Sequence, residues 1–203
     1  VYFIDFYKSN FFIRTKQAKV AIFTTPCQIK NLSLRLKQSL VNDMKYTSYS
    51  YPSGRAEVAA FVVTGGVTEY HVMIHATDPK QTYREQMNVV LDAYAALLKK
   101  ELSGAVAVFK RYFLSDAANQ AELLLAATAE SSDCALSVVE QPPLDGTKIA
   151  LWAYLQTDVQ TRVLPNGLYE VKHGVYRQLW MGGSFNRAAN SEYQMRLLLN
   201  DYA

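Results

Sequence analysis

From residue 58 onward, apolar and polar positions fall into regular periods. The β-branched and aromatic residues 58–64 predict a strand, Gly65-Gly66 predicts a tight hairpin turn, and residues 68–76 predict the returning strand. Thr82-x-x-Glu85 is a capping box, in which a hydroxyl and a carboxylate satisfy N–H groups left unpaired in the first helical turn. Met87, Val90, Leu91, Tyr94, Leu97, Leu98 and Leu102 follow at helical spacing, with Lys99 and Lys100 in the last turns and Gly104 as the stop. Residues 105–114 predict a strand, Ser115-Asp116 an N-cap, residues 117–129 a helix, and residues 134–139 and 148–155 two further strands around a Pro-Pro and Asp-Gly loop at 141–146. The resulting order is β-β-α-β-α-β-β. Upstream the pattern is irregular: short apolar pieces at 11–13 and 20–23, a short helix over 32–41, then Tyr46-Thr-Ser-Tyr-Ser-Tyr and the turn signal Pro52-Ser-Gly.

Sliding the chain along itself by 108 residues aligns Gly66-Val67 with Gly174-Val175, Met73 with Met181, Gln86-Met87 with Gln194-Met195, Leu91 with Leu199, and Tyr94-Ala95 with Tyr202-Ala203. Those are eight identities in 30 ungapped positions, and apolar periodicity alone does not account for the Gly, Gln and Tyr matches. Ser191-x-x-Gln194 reads as a second capping box. An internal duplication is therefore expected, organised as a basic, irregular extension over 1–54, a complete unit over 55–160 and the start of a second over 161–203. A half unit does not close its own core, so a truncated sequence, or completion by another chain, is the expectation for its end.

Composition narrows the classes. Half the 203 residues are hydrophobic and 19% charged, with a mean hydropathy of −0.07, which suits a packed globular core and excludes disorder and fibrous repeats. No apolar run reaches the roughly 18 residues of a membrane span. Cys27 and Cys134, far apart, form neither a disulfide framework nor a metal-ligand spacing, so the cytoplasm is the expected compartment. The net charge of +3 is uneven, with residues 1–55 carrying +7 and the remaining 148 residues −4. The basic arm has neither a base-stacking motif nor a small-residue cleavage site, and a processed, truncated or mis-started N-terminus fits it better than nucleic-acid binding or an organelle presequence. With an acidic body, nucleic acid is not an expected partner.

Most residues that could carry chemistry have plainer readings. His71 and His75 share one strand face but lie about 13 Å apart, too far to hold one metal ion. Cys134 sits in an apolar strand without a placed base and reads as a buried thiol. Gly182-Gly183-Ser184 lacks the pattern of a nucleophile elbow and reads as backbone packing or cleft lining. Glu140 and Asp145 read as loop solubility, and Gln86 as a structural contact at a helix start. Lys110 and Arg111 are adjacent on a strand, so at most one faces a cleft, and Arg111 is the first choice for an anion contact. With no Walker A sequence, dinucleotide glycine loop or paired cysteine ligands, no cofactor is expected.

The element order, the helix with Glu85-Gln86-Met-Asn, the strand ending Arg111-Tyr-Phe-Leu-Ser-Asp116 and the Cys134-Ala-Leu-Ser-Val-Val strand before a Pro turn resemble the YjgF/RidA family. This family is also called endoribonuclease L-PSP or YjgF-like translation inhibitor, with the chorismatases as distant two-unit relatives. The resemblance covers residues 55–157 in full and 168–203 as the opening of a second copy. It implies a chorismate-mutase-like α+β fold assembled as a trimer or pseudo-trimer with clefts between units. In the family's imine deaminases an Arg at the start of the fourth strand clamps the substrate carboxylate, and a Glu on the last strand positions the hydrolytic water. Here the Arg position falls on Asp133, or within a residue of it, and the Glu position on Ala150, with Trp152 next on the same face. The family's cleft-lining Ser-Gly corresponds to Gly182-Gly183, followed by Ser184, in the second copy and to Ile74-His75 in the first. A carboxylate in place of a bidentate cation repels an anionic substrate, so the first unit reads as catalytically degenerate. The ligand-contact candidates are thus Arg111, Asp133, Gly182, Gly183 and Ser184. Two functions stand open: a parent that hydrolyses a small carboxylate such as a reactive imine or a chorismate-like acid, or a non-catalytic metabolite-binding or regulatory module of the translation-inhibitor type.

Overall fold

The computed structural model describes residues 43–62, 66–129, 134–165, 168–174, 176–183 and 190–202. The extension before residue 43, Gly65, Asp133 and Ser184 lie outside the described residues. The fold is α+β, with strands β1 (Asp43–Tyr51), β2 (Gly54–Val62), β3 (Thr68–Ala76), β4 (Val106–Leu114), β5 (Ala135–Glu140), β6 (Ile149–Gln156), β7 (Gln160–Val163), β8 (Tyr169–His173) and β9 (Tyr176–Trp180). Its helices are α1 (Tyr83–Lys100), α2 (Ala117–Thr128) and α3 (Ser191–Tyr202). Six strands form one sheet in the order β1-β2-β3-β6-β4-β5, in which only β4 and β5 run parallel, and β7-β8-β9 form a second, antiparallel sheet.

The β-β-α-β-α-β-β order is present, preceded by a strand where irregular chain was expected. β1 pairs with β2 through a two-residue turn at Pro52-Ser53, with Ser53 at φ 60°. Its Tyr49 and Tyr51 pack against the helix-side core, while Tyr46 on the other face donates from its hydroxyl to Glu57 Oε2 at 3.0 Å. The Tyr/Ser alternation is thus a half-buried edge strand whose apolar positions are tyrosines. β2 and β3 pair antiparallel as the expected hairpin, with Val62 opposite Thr68; residues 63–65, which include Gly65 of the expected turn, lie outside the described residues.

Helices α1 and α2 cover one face of the large sheet. The α1 capping box is formed, since Thr82 accepts from the Glu85 N–H and Glu85 accepts from the Thr82 N–H. Met87, Val90, Ala93, Tyr94 and Leu97 of α1 and Leu124 of α2 meet Ala56, Val58, Val72, Ile74, Tyr112, Leu114, Ile149, Leu151 and Leu155 from the strands. Gln86, with 0% exposure, fills the structural role expected of it. Its amide donates to the Asp78 and Gln81 carbonyls and its oxygen accepts from the Lys148 N–H, tying the β3–α1 loop to the start of β6.

A bulge sets which β4 side chains reach the opposite face. Ala107 faces Leu155 on the helix side, but the register shifts between Ala107 and Phe109, so Phe109 pairs with Tyr154. The extra residue, Val108, turns Phe109, Arg111 and Phe113 to the helix-free face, and leaves Lys110, Tyr112 and Leu114 towards the helices. Part of that open face is covered by the small sheet, where Val171, Tyr169 and Trp180 pack with Val108, Phe109, Ala135, Trp152 and Tyr154.

β3 and β9 begin at Thr68 and Tyr176, and α1 and α3 at Tyr83 and Ser191, 108 residues apart in each case. The second capping box at Ser191 is replaced by a simpler cap one residue earlier: Asn190 Oδ1 accepts from the N–H groups of Glu192 and Tyr193. Among the described residues no helix is long and apolar enough to cross a membrane.

Candidate anion site on the open sheet face

Three rows of cross-strand neighbours on β4, β6 and β3 make up the centre of the open face: Phe109–Tyr154–His71, Arg111–Trp152–Met73, and Phe113–Ala150–His75. The first row is aromatic packing. His71 lies 5.0 Å from the Tyr154 ring, 5.9 Å from Trp152 and 6.0 Å from Phe61, centroid to centroid. Burial among these rings pushes the His71 imidazolium below the ordinary histidine range, and Glu69 opposes that only in part.

Arg111 dominates the second row. Its guanidinium carbon sits 5.4 Å from the Phe109 ring centroid and 6.0 Å from that of Trp152. Its Nε is buried without a hydrogen-bond partner among the described residues, and burial lowers its pKa from the usual arginine value. Beside it in register on β5 is Ser137. Lys110, by contrast, is 4% exposed on the helix side with its ammonium 5.2 Å from the Tyr94 ring centroid, so of the cationic pair only Arg111 faces the open side.

Gly182 and Gly183 arrive at the outer edge of β5. A Cβ on Gly182 would stand 2.3 Å from the Leu136 carbonyl oxygen and 2.6 Å from its nitrogen, so only glycine allows this approach. Gly183 has φ +71°. The structure therefore brings three candidates to neighbouring positions, with Arg111 on β4, Gly182 and Gly183 beyond β5, and Ser137 between. Asp133 and Ser184 lie outside the described residues. Ala150, which the resemblance aligns with an acid, faces the open side between His75 and Phe113 and is 3% exposed.

The third row ends in a pair that sequence left apart. His75 Nδ1 lies 3.4 Å from Asp145 Oδ2, two facing groups rather than a formed hydrogen bond. Asp145 Oδ1 accepts from the Thr147 N–H at 3.0 Å and the Thr147 hydroxyl at 2.6 Å, so the carboxylate is held in its turn. Glu140, the other acid read as loop solubility, accepts from the Ala117 N–H at the start of α2. Seventy residues separate His75 from Asp145, and no local pattern announces their meeting. Cys134 is buried, 3% exposed. No group of three or more His, Cys, Asp or Glu side chains among the described residues is placed to hold a metal ion.

No family model, curated protein or solved structure matches this chain. The site's chemistry accordingly stands on its own geometry: one half-buried guanidinium near the Phe109 and Trp152 rings, with Ser137 beside it in register.

Proposed function

We propose that the chain is a YjgF/RidA-like unit that binds a small carboxylate on the open face of its main sheet, with Arg111 as the anion contact. The observation that carries this is the state of Arg111, whose buried Nε has no hydrogen-bond partner among the described residues and whose guanidinium lies near the Phe109 and Trp152 rings. A half-buried guanidinium loses hydration, and aromatic faces return about 0.5–2 kcal/mol of that. A carboxylate completes the balance through the paired N–H fork that arginine offers. The β-β-α-β-α-β-β order and the 108-residue recurrence of strand and helix starts support the family reading, in which such a face borders a cleft. Ala150 in the acid position supports a degenerate first unit, so the binding role is favoured for this unit over a complete family-type catalytic set.

Trp152 beside Arg111 gives the test a signal. Trp180→Phe leaves Trp152 as the single tryptophan, whose fluorescence is followed during titration with pyruvate, benzoate and chorismate. Saturable quenching by at least one acid is expected, weakened about 10- to 100-fold by Arg111→Gln, in keeping with about 1.5–3 kcal/mol for a charge-assisted hydrogen bond. Quenching that is absent for all three acids, or unchanged in the Arg111→Gln protein, rejects the reading.

A further inference from the structure

We propose that His75 and Asp145 form a proton-accepting pair that serves the Arg111 site, with Asp145 holding the proton on His75 Nδ1 and Nε2 left free to activate a water. This rests on the carboxylate-binding reading above and adds a reaction to it. Asp145 Oδ2 faces Nδ1 at 3.4 Å, while its other oxygen is fixed by Thr147, so a small closing movement brings the Nδ1–H within hydrogen-bond range of a carboxylate already held in its turn. An imidazole oriented in this way presents its second nitrogen as an acceptor.

The placement relative to Arg111 is set by the sheet. His75 and Arg111 share the open face, two strands and two residues apart, which puts their Cα atoms about 12 Å from each other. A small carboxylate and one water fit that span, with the carboxylate on the guanidinium and the water on Nε2. Ala150, whose side chain is a single methyl and is itself 3% exposed, stands next to His75 in the intervening strand, so no bulky or charged side chain of β6 lies directly beside the ring. The other charged groups on this edge are Arg55, directly across from His75 on β2, and Glu57, which is ion-paired with Arg55 at 2.6 Å. Arg55 is therefore occupied, and Asp145 is the carboxylate that faces the ring.

The reaction class is hydrolysis of an ester or a comparable acyl group on a small aromatic or aliphatic acid. The water oxygen bonds to the acyl carbon as its proton passes to Nε2. The imidazolium then returns that proton to the departing oxygen as the carbon–oxygen bond breaks, so water and ester become an acid and an alcohol or phenol.

4-Acetoxybenzoate serves as the probe and phenyl acetate as its uncharged counterpart, in assays on the full chain. Turnover of 4-acetoxybenzoate to acetate and 4-hydroxybenzoate is expected, with kcat falling about 100-fold in His75→Gln and Asp145→Asn. Arg111→Gln is expected to raise KM for 4-acetoxybenzoate by a much larger factor than KM for phenyl acetate. Nitrogen-15 NMR of the histidines reads the pair without a substrate: His75 carries its proton on Nδ1 in the wild type and on Nε2 in Asp145→Asn. Asp145 lies on an exposed turn, so this variant reports even where His75→Gln fails to fold. A wild-type Nε2–H tautomer, or turnover unchanged in both variants, overturns the pair while the Trp152 titration still stands or falls by itself. A titration without carboxylate binding overturns the Arg111 reading instead.

Discussion

His71 and His75 differ by environment alone. Both sit on β3, on the same face, as their spacing indicated, but His71 is closed in by Phe61, Trp152 and Tyr154 and His75 meets Asp145. Because burial lowers the His71 pKa in the folded state, the unfolded chain takes up its proton first as pH falls through the ordinary value of 6.5. Stability contributed by neutral His71 is present in full above 6.5 and is lost as pH falls from there through the folded pKa. Denaturant midpoints between pH 7.5 and pH 5 should show this decline in the wild type, and a shallower one in His71→Phe. Equal slopes in the two proteins would show that the imidazole has no part in it. At the same scale, Gly182→Ala sets a methyl 2.3 Å from the Leu136 carbonyl, a clash with backbone that no rotamer relieves. About 1–3 kcal/mol of destabilisation is expected from such overpacking, read from the shift in urea midpoint. The glycine pair was legible as packing or cleft lining, but its partner strand was not, because a close backbone approach leaves no mark on the sequence of the other segment.

At the scale of elements, periodicity was a good guide wherever one face of an element is buried. The α1 stripe, the capping box, the five strands β2 to β6, and the α2 start at Asp116 all follow the sequence pattern. It failed at β1, where tyrosines serve as the apolar positions, and at the β4 bulge, where one extra residue reverses the facing of everything after Val108. Without that bulge, alternation from Ala107 would turn Arg111 to the helices. The small sheet adds a second case that pattern could not supply. Glu170 of β8 is 1% exposed and is held by Arg162, Lys172 and Arg177 from all three strands. Burial pushes its carboxyl up, but the Arg162 hydrogen bond and the charges of Arg162, Arg177 and Lys172 outweigh that and keep it below the ordinary value of 4.5. Its contribution to stability is therefore present above 4.5 and lost as pH falls through the folded pKa. Glu170→Gln leaves three cations facing one another. Lower thermal stability of this variant is expected, with salt restoring it more than salt changes the wild type. A variant as stable as the wild type at low salt would show that the cluster is not what holds β7, β8 and β9 together.

For the molecule as a whole, the two faces of the large sheet have different roles. The helix side is closed by α1 and α2, whereas the open side is shared between packing under the small sheet and the row that carries Arg111. The junction runs through Trp180, whose ring lies 5.5 Å from Tyr154 and 5.7 Å from Phe109, the same Phe109 that flanks Arg111. The small sheet thus packs against one wall of the proposed anion site. Trp180→Ala removes the ring that meets Tyr154 and Phe109 across that junction, on the side away from the helix-side core. About 2–3 kcal/mol is expected to be lost, less than for a fully buried tryptophan because this ring is only partly covered. If the sheets open separately, amide exchange should quicken across β8 and β9 and stay slow in β2, β3 and β6, as in local opening below the global transition. Carboxylate affinity at Arg111 should fall with it, because Phe109 loses the ring that holds it in place. Uniformly faster exchange through both sheets would instead make them one cooperative unit, and unchanged affinity would place the wall of the site in the large sheet alone.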